Sequence, residues 1–274
     1  MKKYKFGSRY LDFNKPIFMG IVNVTPDSFS DGGNYFDTGS AVKHALLLSA
    51  QGAGIIDIGG ESTRPGANFI SVDEELSRTI PVIKALLKKK HDLIISIDTN
   101  KSVVAEEALK AGAVIVNDIS GGCFDEKIFK VAAKYKAGFV IMHMKGNPQS
   151  MQKNPRYRNV IKEICTFLEK QSAIAKKFGV EKIIVDPGIG FGKTVKHNFI
   201  ILSHLNEFNK LGFPVLIGLS RKSFIGKTLD LKTGERDIPT AIMEAVALTN
   251  GASIIRTHNM ELGAQTKKLI EALQ

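Results

Sequence analysis

Along the chain one pattern recurs eight times: an apolar run rich in Ile and Val, a short polar loop, then an amphipathic stretch. The runs are IFMGIV (17–22), GIIDI (54–58), LIISI (93–97), AVIV (113–116), GFVIM (138–142), KIIVD (182–186), PVLIG (214–218) and SIIR (253–256). Nearly continuous apolar strands suit a parallel sheet covered on both faces, because neither side of such a strand meets water. Eight strand–helix units in 274 residues predict an α/β fold, a (β/α)8 TIM barrel forming one domain over 1–274 without a dividing linker. An open doubly wound sheet is the alternative; it needs no fixed count of eight and usually carries a glycine fingerprint after its first strand.

The stretches between the runs carry helix signals. Thr99 or Asn100 can cap KSVVAEEALKAG, and Gly112 sits where a helix-closing glycine belongs, as Gly179, Gly212 and Gly251 do later. Residues 1–16 alternate through Tyr4, Phe6, Tyr10, Leu11 and Phe13, which predicts a short N-terminal hairpin covering the barrel bottom.

In such a barrel the C-terminal strand ends converge on one pocket, so the polar residue after each apolar run matters most. These are Asn23, Glu61 to Arg64, Asp98, Asn117 with Asp118, His143, Asp186, Ser220-Arg221-Lys222, and Arg256 with His258. Singly, Asp98 and Asn117 could equally be helix caps, Asp57 reads as a satisfied interior carboxylate, and His143 and His44 as packing or hydrogen-bonded residues. Together they fill one pocket with carboxylates and amides on one side and Lys, Arg and His on the other. That division suits a ligand with two chemical ends. A heterocycle with adjacent N–H donors matches a buried carboxylate, with Asn reading its other edge. Phosphate oxygens would suit Arg256, His258 and the loop at Asn23, and Mg²⁺ fits there because it prefers oxygen ligands and bound phosphates.

Composition narrows the class. With 43% hydrophobic and 24% charged residues, the chain can bury a large core as a soluble globular protein. A formal charge of +11 favours anionic partners, yet the densest basic clusters are only Lys88-Lys89-Lys90 and Lys176-Lys177, without interleaved aromatics, so nucleic acid is not expected as a partner. Cys123 and Cys165 stand far apart with no CxxC spacing. The basic N-terminus lacks an apolar core, and no run reaches the ~18 residues of a membrane span, so a cytoplasmic location without membrane partners is expected.

DPGIGFGKT, Asp186 to Thr194, looks like a phosphate-binding P-loop because it ends in GKT after a strand. That loop needs a glycine where Pro187 stands, and the glycines also fail the dinucleotide pattern. They are better suited to letting backbone pass close to a flat ligand.

GIVNVTPDSFSDGG, DIGGESTRPGA, SIDT, VNDISGG, MHMKGNPQSMQ, DPGIGFGKT, GLSRKSFIG and IIRTH, taken in order over essentially the whole chain, resemble the dihydropteroate synthase family of pterin-binding barrels. The resemblance implies condensation of 6-hydroxymethyl-7,8-dihydropterin pyrophosphate with p-aminobenzoate to 7,8-dihydropteroate, with pyrophosphate leaving first, a folate-pathway transferase and a sulfonamide target. It implies that Asp186 holds the amino-pyrimidine edge of the pterin, with Asp98, Asn117, Met142, Lys222 and Arg256 around it, although Met142 reads equally as core. Asp98, Asp186, Lys222, Arg256 and His258 form the implied catalytic set. Thr63, Arg64, Pro65, Phe191, Lys222 and Ser223 are implied for p-aminobenzoate, and Asn23, Thr63, Arg64, Arg256 and His258 for pyrophosphate. Asn23 and Asp31 are implied for Mg²⁺, in a polar lid-like loop that Gly32 and Gly33 give room to fold over. A homodimer is also implied.

Two positions depart from the family pattern. Asn259 follows His258 where Asp is common, and Pro239 stands in GERDIPTAI where a small residue is usual. A pterin-binding module presenting methyltetrahydrofolate to a corrinoid protein would share barrel and pocket but need neither SRKS nor the two long loops.

Overall fold

A computed structural model describes residues 3–25, 38–62, 67 and 69–273. Asp31, Thr63, Arg64 and Pro65 of the sequence expectations lie outside the described residues.

The first two strands, β1 (Lys3–Phe6) and β2 (Arg9–Asp12), pair antiparallel as the expected hairpin. Tyr4, Phe6, Leu11 and Phe13 are buried against Ile17, Met19, Ile55, Ile115, Val140, Ile184, Leu216 and Ile254, residues at the strand beginnings, while Tyr10 turns out to solvent at 63% exposure. The Tyr4 hydroxyl donates to Ile183 O at 2.7 Å, so the plug is tied to the barrel as well as packed on it.

Eight parallel strands follow: β3 (Ile17–Asn23), β4 (Ile55–Gly59), β5 (Ile95–Asp98), β6 (Ile115–Asp118), β7 (Gly138–Met142), β8 (Lys182–Asp186), β9 (Leu216–Gly218) and β10 (Ile254–Thr257). Their order in the sheet is β8-β7-β6-β5-β4-β3-β10-β9. A parallel bridge between Val185 and Val215 brings the two ends together. The sheet is therefore a barrel, and the open alternative is excluded. Eight apolar runs became eight strands because residues such as Ile56, Ile97, Phe139 and Val185 pack outward into the helical shell while Met19, Ile184 and Ile254 fill the interior.

The described helices are α1 (Thr38–Ala50), α2 (Val72–Lys89), α3 (Ser102–Lys110), α4 (Lys127–Lys134), α5 (Val160–Lys177), α6 (Val195–Ser203), α7 (Leu205–Asn209), α8 (Ser223–Leu229), α9 (Asp237–Thr249) and α10 (Met260–Glu271). Gly112 closes α3 with φ +108°, as expected of a helix-ending glycine. Its start corrects the expectation: neither Thr99 nor Asn100 caps it, and the Ser102 N–H is taken by the Asp125 carboxylate at 2.8 Å. Pro239 is accommodated without cost as the third residue of α9, where the missing N–H has no intrahelical partner to lose.

Candidate active site

The inward positions follow from register. Asp57 pairs with Ser96, Gly59 with Asp98, and Asp98 with Asn117, so these residues share the inner face of the barrel. Opposite them stand Asp186 at the end of β8 and Arg256 on β10. The described sequence-expected residues of the pterin set therefore converge. Ile21, Asp98, Asn117, Ile119, Met142, Asp186, Phe191, Lys222 and Arg256 line one deep slot.

Arg256 is the hub. Its Nε donates to Asp57 Oδ2 at 2.7 Å and its Nη2 to Asp98 Oδ2 at 2.8 Å. Asp57 Oδ2 also accepts from Asn117 Nδ2 at 3.0 Å. The reading of Asp57 as a satisfied interior carboxylate needs correcting: it is fully buried and fixes two slot-lining side chains through Oδ2, while Oδ1 has no partner among the described residues. Its signal in the sequence was parity, since Asp57 lies two residues before Gly59 and so faces inward with it.

Burial sets the proton affinities. Asp98 is pushed up to about 7, chiefly by burial, with Arg256 opposing and the Asp57, Glu75 and Asp118 carboxylates adding to the rise. Asp186 rises to about 6 for the same main reason, opposed by the Gly188 N–H that it accepts at 2.6 Å and by Lys222. Burial lowers Lys222 to about 8 against the pull of Asp186. The three groups therefore titrate close to neutrality, as proton-sensitive binding and catalytic groups often do. His143 is neutral, pushed down to about 3 by burial and Lys193. Asp118 turns out of the slot and accepts from Ser120 N at 2.8 Å and Gly122 N at 2.7 Å, fixing the ISGG turn.

Above the slot lies a cleft of about 400 Å³ lined by Asn23, Ser62, Met151, Gly190, Phe191, Ser220, Lys222, Ser223, Arg256 and His258. Lys222 reaches it because Arg221 adopts φ +56° and directs its own guanidinium outward, onto Asp237 at 2.6 and 2.9 Å. The Lys222 Nζ stands 4.2 Å from the centre of the Phe191 ring. His258 is fixed by Ser220, whose Oγ accepts from its N–H at 3.1 Å and lies 2.8 Å from its Nδ1. Met142 packs in an apolar cluster with Ile119, Met151 and Phe191 and also lines the slot. Asn259 caps α10, accepting from Leu262 N at 3.1 Å, and its amide donates to Asp237 Oδ2 at 3.1 Å. An aspartate there would set two carboxylates against each other, so the departure suits this chain's own neighbour.

Sequence reasoning missed Asp57, Met151 and Gln152, whose side-chain amide donates to Gly190 O. It also placed no weight on Lys101, which pairs with Glu61 and with Glu75 at 2.5 Å and donates to Ile70 O at 3.1 Å, joining both sides of the loop after β4.

A TIM barrel holding paired carboxylates, an amide and cations at its C-terminal mouth defines a class, and the comparison with known families agrees: the pterin binding enzymes match residues 19–258. A dihydropteroate synthase of Synechocystis sp. is 48% identical over 271 residues, 97% of this chain and 93% of the relative. The Yersinia pestis dihydropteroate synthase, solved with a sulfonamide drug, superposes with a TM-score of 0.94 at 38% identity over 99% of both chains. The Xanthomonas albilineans enzyme in complex with 7,8-dihydropteroate gives a TM-score of 0.90 at 35% identity, over 100% of this chain and 99% of that one. The chain belongs to the pterin binding enzymes and, among them, to the dihydropteroate synthases, transferases of folate biosynthesis (EC 2.5.1.15).

Proposed function

We propose that the slot takes the pterin and the cleft takes p-aminobenzoate, so that the chain condenses 6-hydroxymethyl-7,8-dihydropterin pyrophosphate with p-aminobenzoate to 7,8-dihydropteroate. The observation that carries this reading is the Asp57–Arg256–Asp98 cluster, which faces Asp186 across a slot opening directly onto the Lys222–Phe191 cleft. Asp186 accepts from the amino-pyrimidine edge, and Asn117 and Asp98 read the remaining polar positions. Arg256 lies over the ring face and, with His258 and Asn23, meets pyrophosphate. Lys222 and Phe191 flank the arylamine, and Ser223 meets its carboxylate. Thr63, Arg64 and Pro65 complete the second site on this reading.

The reaction is alkyl transfer. The bond from the pterin methylene carbon to pyrophosphate breaks first, its electron pair leaving with pyrophosphate, and the amine nitrogen then bonds to that carbon and releases a proton. Arg256 and His258 stabilise the departing anion, while ionised Asp98 and Asp186 stabilise positive charge on the ring. Among the described residues no cluster of three His, Cys, Asp or Glu could hold a metal. On this reading Asn23 and Asp31 would hold Mg²⁺, an ion that prefers oxygen ligands, where it would supply charge neutralisation of the leaving group.

The corrinoid-partner alternative has no use for the Lys222–Phe191 cleft. A cytoplasmic enzyme acting as one domain over 1–274 is part of this reading. Among the described residues no helix is long and apolar enough to cross a membrane. A homodimer is supported by Ile238, Ile242 and Val246, exposed at 68%, 59% and 39% along one face of α9.

Calorimetry on Asp186→Asn tests the pterin assignment. The amide offers one acceptor where the carboxylate offers two, and the loss of a charge-assisted pair costs about 1.5–3 kcal/mol, so pterin affinity falls at least about tenfold in a folded protein. Unchanged affinity would remove Asp186 from its role.

A further inference from the structure

The lysine of the GKT look-alike is 3% exposed, on a loop whose other charged end, Asp186, faces the slot. A phosphate-binding lysine projects from its loop toward the ligand. Lys193 does the opposite. Its Nζ donates to Phe191 O at 2.9 Å and to His143 O at 3.2 Å, and lies 3.1 Å from His143 Nδ1. His143 follows β7 and Phe191 follows β8, so a single side chain ties two neighbouring strand ends together. The neutral imidazole leaves Nδ1 able to accept, so Nζ has three acceptors within reach, while burial holds the Lys193 amine well below the ordinary lysine range.

The segment between them is pressed flat onto this tie. Gly188 has φ +71°, and a Cβ there would lie 1.9 Å from His143 O, a distance no side chain can occupy. The remaining glycines are held as firmly. Gly190 N donates to the buried Asn198 Oδ1 at 2.9 Å, Gly190 O accepts from Gln152, and Gly192 O accepts from the Tyr157 hydroxyl at 2.9 Å. From this pinned loop Phe191 projects into the apolar wall with Ile119, Met142 and Met151, its ring 4.2 Å from Lys222 Nζ.

We propose that Lys193 is a positioning residue for the second substrate: by anchoring the Phe191 carbonyl to the end of β7 it fixes the Phe191 ring, and through it Lys222, as the wall against which p-aminobenzoate packs. The pterin contacts depend on it less, because Asp98, Asn117 and Arg256 sit on strands rather than on this loop. The inference rests on the proposed assignment of the cleft to p-aminobenzoate.

The test is steady-state kinetics with both substrates together with calorimetric pterin binding, on the full chain. Wild-type turnover is established first, so that failure of the functional reading shows in the unmodified protein and not in the variants. Lys193→Met is expected to raise KM for p-aminobenzoate at least tenfold while the pterin Kd stays within threefold. Lys193→Gln, shorter and reaching only one of the two carbonyls, is expected to give a two- to fivefold rise with the same split. A KM for p-aminobenzoate at the wild-type value in Lys193→Met, or parallel loss for both substrates in either variant, overturns the proposal. Should Lys193→Met not fold, Lys193→Gln decides alone: a rise confined to p-aminobenzoate supports the tie, and no rise refutes it.

Discussion

Replacing Asp57 by Asn tests whether the floor of the slot, and not only its rim, determines pterin recognition. The carboxylate touches no substrate in the proposed arrangement. Its Oδ2 accepts simultaneously from Arg256 at 2.7 Å and Asn117 at 3.0 Å, so an amide there leaves both side chains a neutral acceptor in place of a charged one. A hydrogen bond to a charged group contributes about 1.5–3 kcal/mol, and Arg256 keeps its second tie to Asp98. The lower part of that range therefore applies, which is a pterin affinity weaker by about ten- to thirtyfold. A second signature separates this from general damage. The charge of Asp57 is one of those raising Asp98, after burial and against the pull of Arg256, so its removal lets Asp98 ionise at lower pH than about 7. Calorimetric pterin binding measured between about pH 5 and pH 8 should show both the weaker affinity and an acid limb moved downward. Affinity within threefold of wild type together with an unmoved acid limb would refute the reasoning.

Glu244, 1% exposed on α9, is pushed up to about 8 by burial, with Thr257 opposing and Asp237 adding to the rise. In the unfolded chain it ionises near its ordinary value, so folded stability falls as pH rises from about 4.5 and the loss is complete above about 8. Glu244→Gln, which resembles the protonated acid, should be more stable by about 2 kcal/mol or more at pH 9 and equal to wild type at pH 4 in denaturant titrations; equal stability at pH 9 contradicts this. Sulfonamides, sharing the arylamine and an acidic group at its far end, should compete with p-aminobenzoate at the Lys222–Phe191 cleft, and inhibition independent of p-aminobenzoate concentration would place them elsewhere.

The barrel was legible because a parallel strand buried on both faces reads as an unbroken apolar run, and each of the eight runs overlaps the strand it announced. Asp98, Asn117, Asp186 and Arg256 were legible for a related reason: strand ends in this fold point to one place, so polar residues there need no distance information to be grouped. What escaped was set by partners remote in sequence. Asp125 caps α3 from 23 positions away, and nothing local marks it. Asp57 looked like an isolated interior carboxylate until Arg256, 199 positions on, was seen to lie against it. Lys193 carried a misleading local signature, and only the closeness of the β7 and β8 ends shows that it faces inward. Asp31 and Pro65 were named from family motifs alone, Thr63 and Arg64 also from their place after the second apolar run, and all four lie outside the described residues.

The most direct measurement of the central claim is product formation by purified, folded protein supplied with Mg²⁺, 6-hydroxymethyl-7,8-dihydropterin pyrophosphate and p-aminobenzoate. The conjugate is followed by chromatography and pyrophosphate by a coupled assay. A slot and cleft used as proposed give 7,8-dihydropteroate and pyrophosphate in equal amounts, with no conjugate when either substrate is left out. Folded protein that binds the pterin but forms no conjugate with p-aminobenzoate would contradict the account.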